Sequence, residues 1–164
     1  MPKVYVEVKP NLDIKGGLID GLQLLTRQMA DPSVTFVSGE WVKETADGIV
    51  GKLSSGSAAA VDTAIRPRII WGGTERHDVQ ESGSLTCLRG LTSILTLKYE
   101  TGESFAIGDK VSLYWDGTYG TLRKTPGSTG TYTVVGTVTS VPTVDGTDYL
   151  GVEIFGDAQT LIIA

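Results

Sequence analysis

The stretch from Lys110 to Lys124, KVSLYWDGTYGTLRK, decides the fold class. The turn dipeptide Asp116-Gly117 is flanked by two short runs that read as β-strands, Lys110 to Trp115 and Thr118 to Lys124. Two further runs of the same kind follow, with connections that contain Pro126-Gly127, Gly130 and Asp145-Gly146: Tyr132 to Val141 and Tyr149 to Phe155. Short strands at this spacing with glycine turns predict a small β-barrel or sandwich.

The earlier part of the chain contains more runs of this type. Val4, Val6 and Val8 alternate with Tyr5 and Glu7, the period of two expected of a half-buried strand. Further strands are predicted at 34–37, 40–44, 49–53, 66–71, 85–88 and 94–99, with turns at Ser38-Gly39 and Asp47-Gly48. The sequence therefore predicts a mainly β protein with an N-terminal strand or arm.

One α-helix is predicted from Gly17 to Ala30. Apolar residues recur there at spacings of four, three and four, which is the stripe of an amphipathic helix: Leu18, Leu22, Leu25 and Met29. Asp31-Pro32 ends it, because the residue before a proline avoids the α region. The stripe packs either on the protein's own sheet or on a neighbouring subunit, and we favour the neighbour because the helix lies near the terminus.

Composition and charge exclude several classes of function. The 164 residues suit one compact unit, and 21 glycines and 20 threonines favour many short strands. The net charge is -5 and the 14 basic residues form no block, so nucleic-acid binding is not expected. No apolar run approaches the length of a transmembrane helix, and the first residues lack the apolar core of a signal peptide. We expect folding in a cytoplasm.

Residues with catalytic chemistry are scarce. His77 and Asp78 precede Ser82 and Ser84, but no Gly-x-Ser-x-Gly motif or other nucleophile context accompanies them, so no enzyme is predicted. The single cysteine, Cys87, lies in an apolar run and is expected to be a small buried hydrophobe. One histidine and one cysteine do not supply the ligands of a zinc site, and no metal or cofactor is predicted.

Two other patterns have structural explanations. Asp145-Gly146-Thr147-Asp148 lacks the alternating oxygen ligands and the closing glutamate of a calcium loop, and a hairpin turn explains it better. Trp41, Trp71 and Trp115 lie within or at the end of predicted strands, where aromatic residues usually fill a core or an interface. A glycan-binding platform formed by these tryptophans is the alternative.

The stretch from Arg76 to Gly90 joins the two halves of the chain, residues 1–80 with the arm and helix, and residues 81–164 with the small barrel. It is interpreted as a structural elbow. Arg76 and Asp78 are expected to hold it through charge-assisted hydrogen bonds, and Ser82-Gly83 forms its turn. We place a soft boundary near Glu81, within what is expected to be one compact unit.

The elbow also carries a resemblance to a known family. Arg76 to Thr86, followed by Gly90, the pair Gly108-Asp109 and the strand Val135 to Val138, is similar to a pattern in tailed-bacteriophage capsid decoration (cement) proteins. The resemblance covers roughly residues 70 to 155. It leaves the N-terminal strand and helix unexplained.

This resemblance implies a virion structural protein without catalytic activity. Its partners would be the major capsid protein and further copies of itself, as a homotrimer or alternatively a dimer, on the capsid surface after assembly in the host cytoplasm. The expected contacts lie in the arm and the helix: Val4, Tyr5, Val6, Leu18, Leu22 and Leu25. Such an arm adds a strand to the edge of a neighbouring sheet.

Two other functions stay open at this point. A tail-tube, neck or head-fibre component has the same threonine-rich and glycine-rich β character. A carbohydrate-binding module that uses the tryptophans belongs to a different class.

Overall fold

A computed structural model of the chain describes residues 12–14, 23–31, 33–53, 66–72, 83–89 and 92–164. These residues form eleven strands and no helix. The strands are β1 Leu12–Ile14, β2 Gln23–Met29, β3 Trp41–Ala46, β4 Ile49–Lys52, β5 Arg66–Gly72, β6 Ser84–Arg89, β7 Thr92–Thr96, β8 Lys110–Trp115, β9 Gly120–Lys124, β10 Gly130–Ser140 and β11 Leu150–Ile163. The prediction of a mainly β fold with a small barrel is confirmed.

The strands form two units. The first is a closed barrel in the order β2-β4-β3-β5-β6, in which β6 pairs with β2 to complete the ring. The second is a six-stranded sheet in the order β1-β7-β11-β10-β8-β9. All neighbouring pairs are antiparallel except β2 and β4, which run parallel.

Two hydrophobic cores follow from the alternation of side chains along the barrel strands. Successive residues of a barrel strand face opposite sides, so one side chain fills the barrel interior and the next packs against the six-stranded sheet. The interior residues include Val42, Ile70 and Cys87, and the residues that contact the sheet include Trp41, Ile69 and Leu88. The second core therefore belongs to the barrel and the sheet jointly, and it links them through buried apolar surface.

The two units approach each other closely at Gly120, the first residue of β9. A Cβ atom at this position would lie 2.1 Å from the carbonyl oxygen of Trp41 and 2.7 Å from Leu53 Cδ1. Real Cβ atoms do not approach other atoms so closely, so the backbones of β9 and β3 meet only because residue 120 is glycine.

The predicted helix from Gly17 to Ala30 is wrong over its described part. Residues 23–29 form strand β2, which pairs with β6 from Gln23 to Gln28 and with β4 at Gln28 and Met29. Residues four apart share a face in a strand as well as in a helix, so Leu25 and Met29 fit both patterns. Because the segment pairs with both β6 and β4, it is a strand and not a helix. Residues 17–22 lie outside the described part of the chain.

Two smaller predictions differ from the structure. Residues 34–37 form no strand, although Phe36 is buried in the barrel core. The closed barrel is built from residues 23–89, whereas the sequence placed a barrel after residue 81, because β6 returns to pair with β2 and β5. The boundary expected near Glu81 stays a prediction, and Glu81 itself lies outside the described residues.

Candidate interaction surface

The last part of β11 forms an edge of the six-stranded sheet. From Leu150 to Ile154 the strand lies between β7 and β10. Its register then shifts at a large β-bulge, because Gly136 pairs with Ile154 whereas Val134 pairs with Gln159. From Gln159 to Ile163, β10 is its single pairing partner among the residues that the structure describes. We call residues 159–163 the β11 edge.

The β11 edge is uncharged, and its last three residues are apolar. It consists of Gln159, Thr160, Leu161, Ile162 and Ile163, of which Leu161 is 38% exposed and Ile162 is 71% exposed. Neighbouring residues of a strand point to opposite faces, so the strand presents one of these exposed side chains on each face. Natural sheet edges usually carry lysine, proline or an inward-pointing charge that prevents pairing with another strand. This edge has none of them.

The strand beside this edge is firmly held. Tyr132 of β10 pairs with Leu161, and its side chain is buried. The Tyr132 hydroxyl donates a hydrogen bond to the Ser128 carbonyl oxygen at 3.0 Å, and the Arg123 guanidinium lies 5.8 Å from the centre of the Tyr132 ring. The β11 edge is therefore supported by an ordered neighbour and is available in an extended conformation.

A buried ion pair lies near the junction of the barrel and the sheet. The Glu40 side chain is fully buried, and its Oε1 accepts a hydrogen bond from Lys52 Nζ at 2.5 Å. Its Oε2 accepts a hydrogen bond from the N–H of Val37 at 3.1 Å. Burial raises the pKa of Glu40 above its usual value, although the bond and charge of Lys52 oppose the shift. Both oxygens of the Glu40 carboxylate accept hydrogen bonds from the protein, which indicates a structural role.

Aromatic rings complete the surroundings of Lys52. Its Nζ lies 4.9 Å from the ring centre of Phe36 in the barrel and 4.9 Å from that of Tyr119 in the β8–β9 turn. Asp116 Oδ1 accepts hydrogen bonds from the N–H groups of Thr118 and Tyr119, at 2.7 Å and 2.6 Å, and so fixes the turn. The cation thus contacts both units, and we call Phe36, Glu40, Lys52 and Tyr119 the Lys52 cluster.

A second ion-pair group lies on the barrel. Glu44 Oε2 accepts a hydrogen bond from Arg68 Nε at 3.0 Å, and Glu44 Oε1 lies 3.2 Å from Arg27 Nε. Burial by itself raises the pKa of Glu44. The N–H of Gly48 and the charges of Arg68, Arg27 and Arg66 outweigh it and hold that pKa below its usual value. This carboxylate links β2, β3 and β5 and is fully occupied by protein groups.

The predicted turn at Asp145 to Asp148 uses its carboxylates within the loop. Asp145 Oδ2 accepts a hydrogen bond from the Gly102 N–H at 2.7 Å, and Asp148 Oδ2 accepts one from the Val144 N–H at 3.1 Å. The Tyr99 hydroxyl donates to the Asp148 carbonyl oxygen at 2.7 Å. These contacts anchor the β10–β11 loop to the segment that follows β7, which agrees with a structural explanation of this stretch.

Most of the residues expected to make contacts lie outside the described part of the chain. These are Val4, Tyr5, Val6, Leu18 and Leu22 in the arm and predicted helix, and Arg76, Asp78 and Ser82 in the elbow. Leu25 lies in β2, a barrel strand, and not in a helix. Gly83 is described, has a φ of 69° and accepts a hydrogen bond at its carbonyl from the Met29 N–H. The contact and elbow roles stay predictions.

The expected burial of several side chains is confirmed. Cys87 is fully buried in the barrel interior, and burial raises the pKa of its thiol to about 12. Trp41 is buried in the shared core, against which Trp71 and Trp115 pack with part of their surface exposed. These positions match the structural interpretation of the cysteine and the tryptophans.

The described residues contain neither a metal-binding cluster nor a membrane-spanning helix. They contain no group of three or more His, Cys, Asp and Glu side chains placed to hold a metal ion. Within the same residues, no helix has the length and apolar character needed to cross a membrane. Comparisons of the chain with family models, with curated proteins and with solved structures found no match.

The sequence interpretation missed the β11 edge. It ended the last strand at Phe155, although the run from Gln159 to Ile163 is rich in β-formers. That run is a detectable strand signal. Its exposure was not detectable, because it depends on which strands lie beside it.

Proposed function

We propose that this protein is a structural component of a tailed-phage virion that binds the outer surface of the capsid and stabilises it by bridging capsomers. The observation that carries a binding role is the β11 edge, an uncharged strand edge with exposed Leu161 and Ile162 side chains. Exposed strand edges recognise other protein segments through main-chain hydrogen bonds. The resemblance of residues 70–155 to decoration proteins supports the capsid as the partner.

The architecture is compatible with this role. A shared core and the Lys52 cluster join the barrel to the sheet, so force applied to one unit is passed to the other through packed side chains. A protein that bridges capsomers has to resist such force. The net charge of -5 favours solubility and keeps the protein away from packaged DNA.

The arm supplies a second contact in this proposal. The alternating segment Lys3 to Lys9 adds a strand to the sheet edge of a neighbouring subunit. Individually modest contacts then sum on a symmetric lattice, because each bound copy raises the effective concentration of the next contact.

Capsid binding is the direct test. Expanded capsids of the phage that encodes this protein, assembled without it, are mixed with the purified protein, and occupancy is measured by co-sedimentation and cryo-electron microscopy. We expect saturable binding at fixed lattice positions. The absence of binding by the intact chain would contradict the proposal. Tubes or rings formed by the purified protein would support a tail-tube or neck component instead.

The arm is tested in the same assay. Deletion of Met1 to Lys9 is expected to abolish capsid binding while the far-ultraviolet circular dichroism stays that of a folded β protein. Val6→Ser is expected to weaken binding, because it removes an apolar side chain from the repeating face, whereas Glu7→Ser on the other face is the matched control. Full occupancy by the truncated protein would remove the arm from the proposal and leave the β11 edge as the binding element.

A further inference from the structure

Buried polar groups without a partner concentrate on the β8–β9 hairpin. In the described part of the chain, six buried side-chain nitrogen or oxygen atoms have no hydrogen-bond partner. Three of the six belong to this hairpin and the residue that follows it: Ser112 Oγ, Arg123 Nε and Thr125 Oγ1. A buried polar atom without a partner costs free energy, so three of them in one place need a physical explanation.

The three groups lie on one face of the hairpin. Ser112 pairs with Arg123 across the two strands, and paired residues share a face. Thr125 follows Arg123 by two residues, and its N–H continues the ladder by donating to the Lys110 carbonyl oxygen at 2.9 Å. Val111, the neighbour of Ser112, points the other way into the shared core. We call Ser112, Arg123 and Thr125 the donor cluster.

The Arg123 side chain is held in place without an ion pair. Its guanidinium carbon lies 4.8 Å from the ring centre of Tyr114 and 5.8 Å from that of Tyr132, within the range of cation–π interactions. Two other arginines of the described residues pair with Glu44, whereas Arg123 has no described carboxylate within ion-pair distance. The protein thus positions this guanidinium but supplies no acceptor for it.

We infer that the donor cluster binds a carboxylate group of a ligand. A guanidinium can only donate hydrogen bonds, and its forked N–H groups match the two oxygens of a carboxylate. The hydroxyls of Ser112 and Thr125 each have a further hydrogen bond to donate. Because Arg123 Nε and both hydroxyls are shielded from water, the Arg123 side chain has to swing outward to admit an oxygen between them. The bound carboxylate then satisfies groups that have no partner in the free protein, which favours binding.

The surrounding charges favour a ligand with one negative charge. Burial and two neighbouring carboxylates raise the pKa of Glu100, and Arg123 opposes the shift, so an acidic group lies near the cluster. Lys110, another cation on this face, is turned toward β10, where its Nζ donates to Thr137 Oγ1 at 3.2 Å. It therefore adds no second positive charge to the cluster. Glu100 would repel the second charge of a ligand such as phosphate.

Nuclear magnetic resonance of the arginine side chain tests the inference. The Arg123 Nε–H signal of the full chain is followed at pH 7 while acetate replaces chloride at constant ionic strength. We expect a saturable shift with a dissociation constant of about 10–100 mM, because a charge-assisted pair near the surface contributes little free energy. Inorganic phosphate is expected to bind more weakly than acetate.

Conservative variants separate the cluster from its surroundings. Arg123→Lys keeps the charge but lacks the fork, so acetate binding, followed through the backbone N–H signals of the hairpin, should weaken at least about tenfold. Ser112→Ala and Thr125→Val should each weaken it about threefold. Thr139→Val is the matched control, because Thr139 Oγ1 is also buried without a partner but lies in β10, outside the cluster. Its acetate binding should equal that of the native chain.

A peptide distinguishes the two sources of a carboxylate. A short blocked peptide with one glutamate is compared with acetate, and the same peptide with glutamine is the neutral control. Tighter binding of the glutamate peptide identifies an acidic side chain of another protein as the ligand. Equal or weaker binding identifies a small organic acid. Both results support the site.

Several results would overturn the inference. An Nε–H signal that responds equally to acetate and chloride would do so, as would tighter binding of phosphate than of acetate, or undiminished acetate binding by Arg123→Lys. The inference does not rest on the proposed function. Failure of capsid binding with intact acetate binding would reject the proposed function and leave this inference standing.

Discussion

Removing the cation of the Lys52 cluster tests whether the ion pair stabilises the fold. Lys52→Met keeps an unbranched side chain that can pack on Phe36 and Tyr119 but removes the ammonium 2.5 Å from Glu40 Oε1. The fully buried Glu40 carboxylate then retains the Val37 N–H and the more distant charge of Lys98. A buried carboxylate with so few partners is costly.

The magnitude follows from the burial of the two groups. Removal of one partner of a buried pair typically costs about 3–5 kcal/mol, because the other charge stays buried without compensation. Glu40 meets this condition, but the Lys52 side chain is 21% exposed and water can replace part of the lost ammonium. We therefore expect the free energy of unfolding to fall by about 2–3 kcal/mol at pH 7.

The pH dependence identifies the carboxylate as the cause. Burial raises the pKa of Glu40 above its usual 4.5, so its contribution to stability is fully present below pH 4.5 and is lost as the pH rises through the folded-state pKa. Lys52→Met raises that pKa further. The difference in stability between the native chain and the variant should be large at pH 7 and should nearly vanish in acid, where Glu40 is protonated in both.

The assay is urea unfolding followed by tryptophan fluorescence at pH 4 and pH 7, because Trp41 lies in the shared core. Glu40→Gln and the double variant complete a mutant cycle. We expect Lys52→Met to cost much less in the Glu40→Gln background, with a coupling of at least about 1 kcal/mol. Equal losses at both pH values, additive effects, or a loss at pH 7 below about 0.5 kcal/mol would refute the reasoning.

Three further changes test the contact between β9 and β3, the ion-pair group around Glu44, and the barrel interior. Gly120→Ala should destabilise the protein in urea by about 2 kcal/mol or more, because its Cβ would overlap the Trp41 carbonyl. Glu44→Gln should cost about 2–3 kcal/mol at pH 7. The N–H of Gly48 and the neighbouring arginines hold the pKa of Glu44 low, so its contribution is present above pH 4.5 and this cost should shrink as the pH falls through the folded-state pKa. Cys87, whose thiol pKa is raised to about 12, should react with a thiol reagent at pH 8 only in urea.

Each of these predictions has a control. Gly127→Ala places a Cβ in open space and should change stability by less than about 0.5 kcal/mol, so equal losses at both glycines would contradict the steric argument. A cost of Glu44→Gln that grows in acid would contradict the assigned direction of its pKa. Rapid labelling of Cys87 in the native protein would show that the barrel interior opens readily.

Local signals in the sequence were sufficient for most of the strands. Strand β8 has the predicted bounds, and the turn at Asp116-Gly117 has the glycine in a left-handed conformation, with a φ of 101°. A hairpin of this kind depends on alternation and on a turn only a few residues long, both of which are visible in one stretch of chain. Its prediction therefore needed no knowledge of the rest of the fold.

The pairing of strands that are distant in the sequence could not be predicted from the sequence. The segment from Gln23 to Met29 fits a helix by spacing, and it becomes a strand because β6, about sixty residues later, offers a matching edge. In the same way, Glu40 and Lys52 are recognisable as charged residues, but their contact with Tyr119 depends on how the barrel meets the sheet. Such contacts are consequences of topology and have no local signature.

One strand connects the stability of the fold with the proposed binding. The first half of β11 lies in the shared core, where Leu150 and Val152 are fully buried, and the second half is the β11 edge. The extended conformation of the edge is thus fixed when the protein folds. Binding therefore does not include the entropic cost of ordering this segment. Variants such as Lys52→Met that weaken the fold should therefore leave the affinity of capsid binding unchanged as long as the chain stays folded.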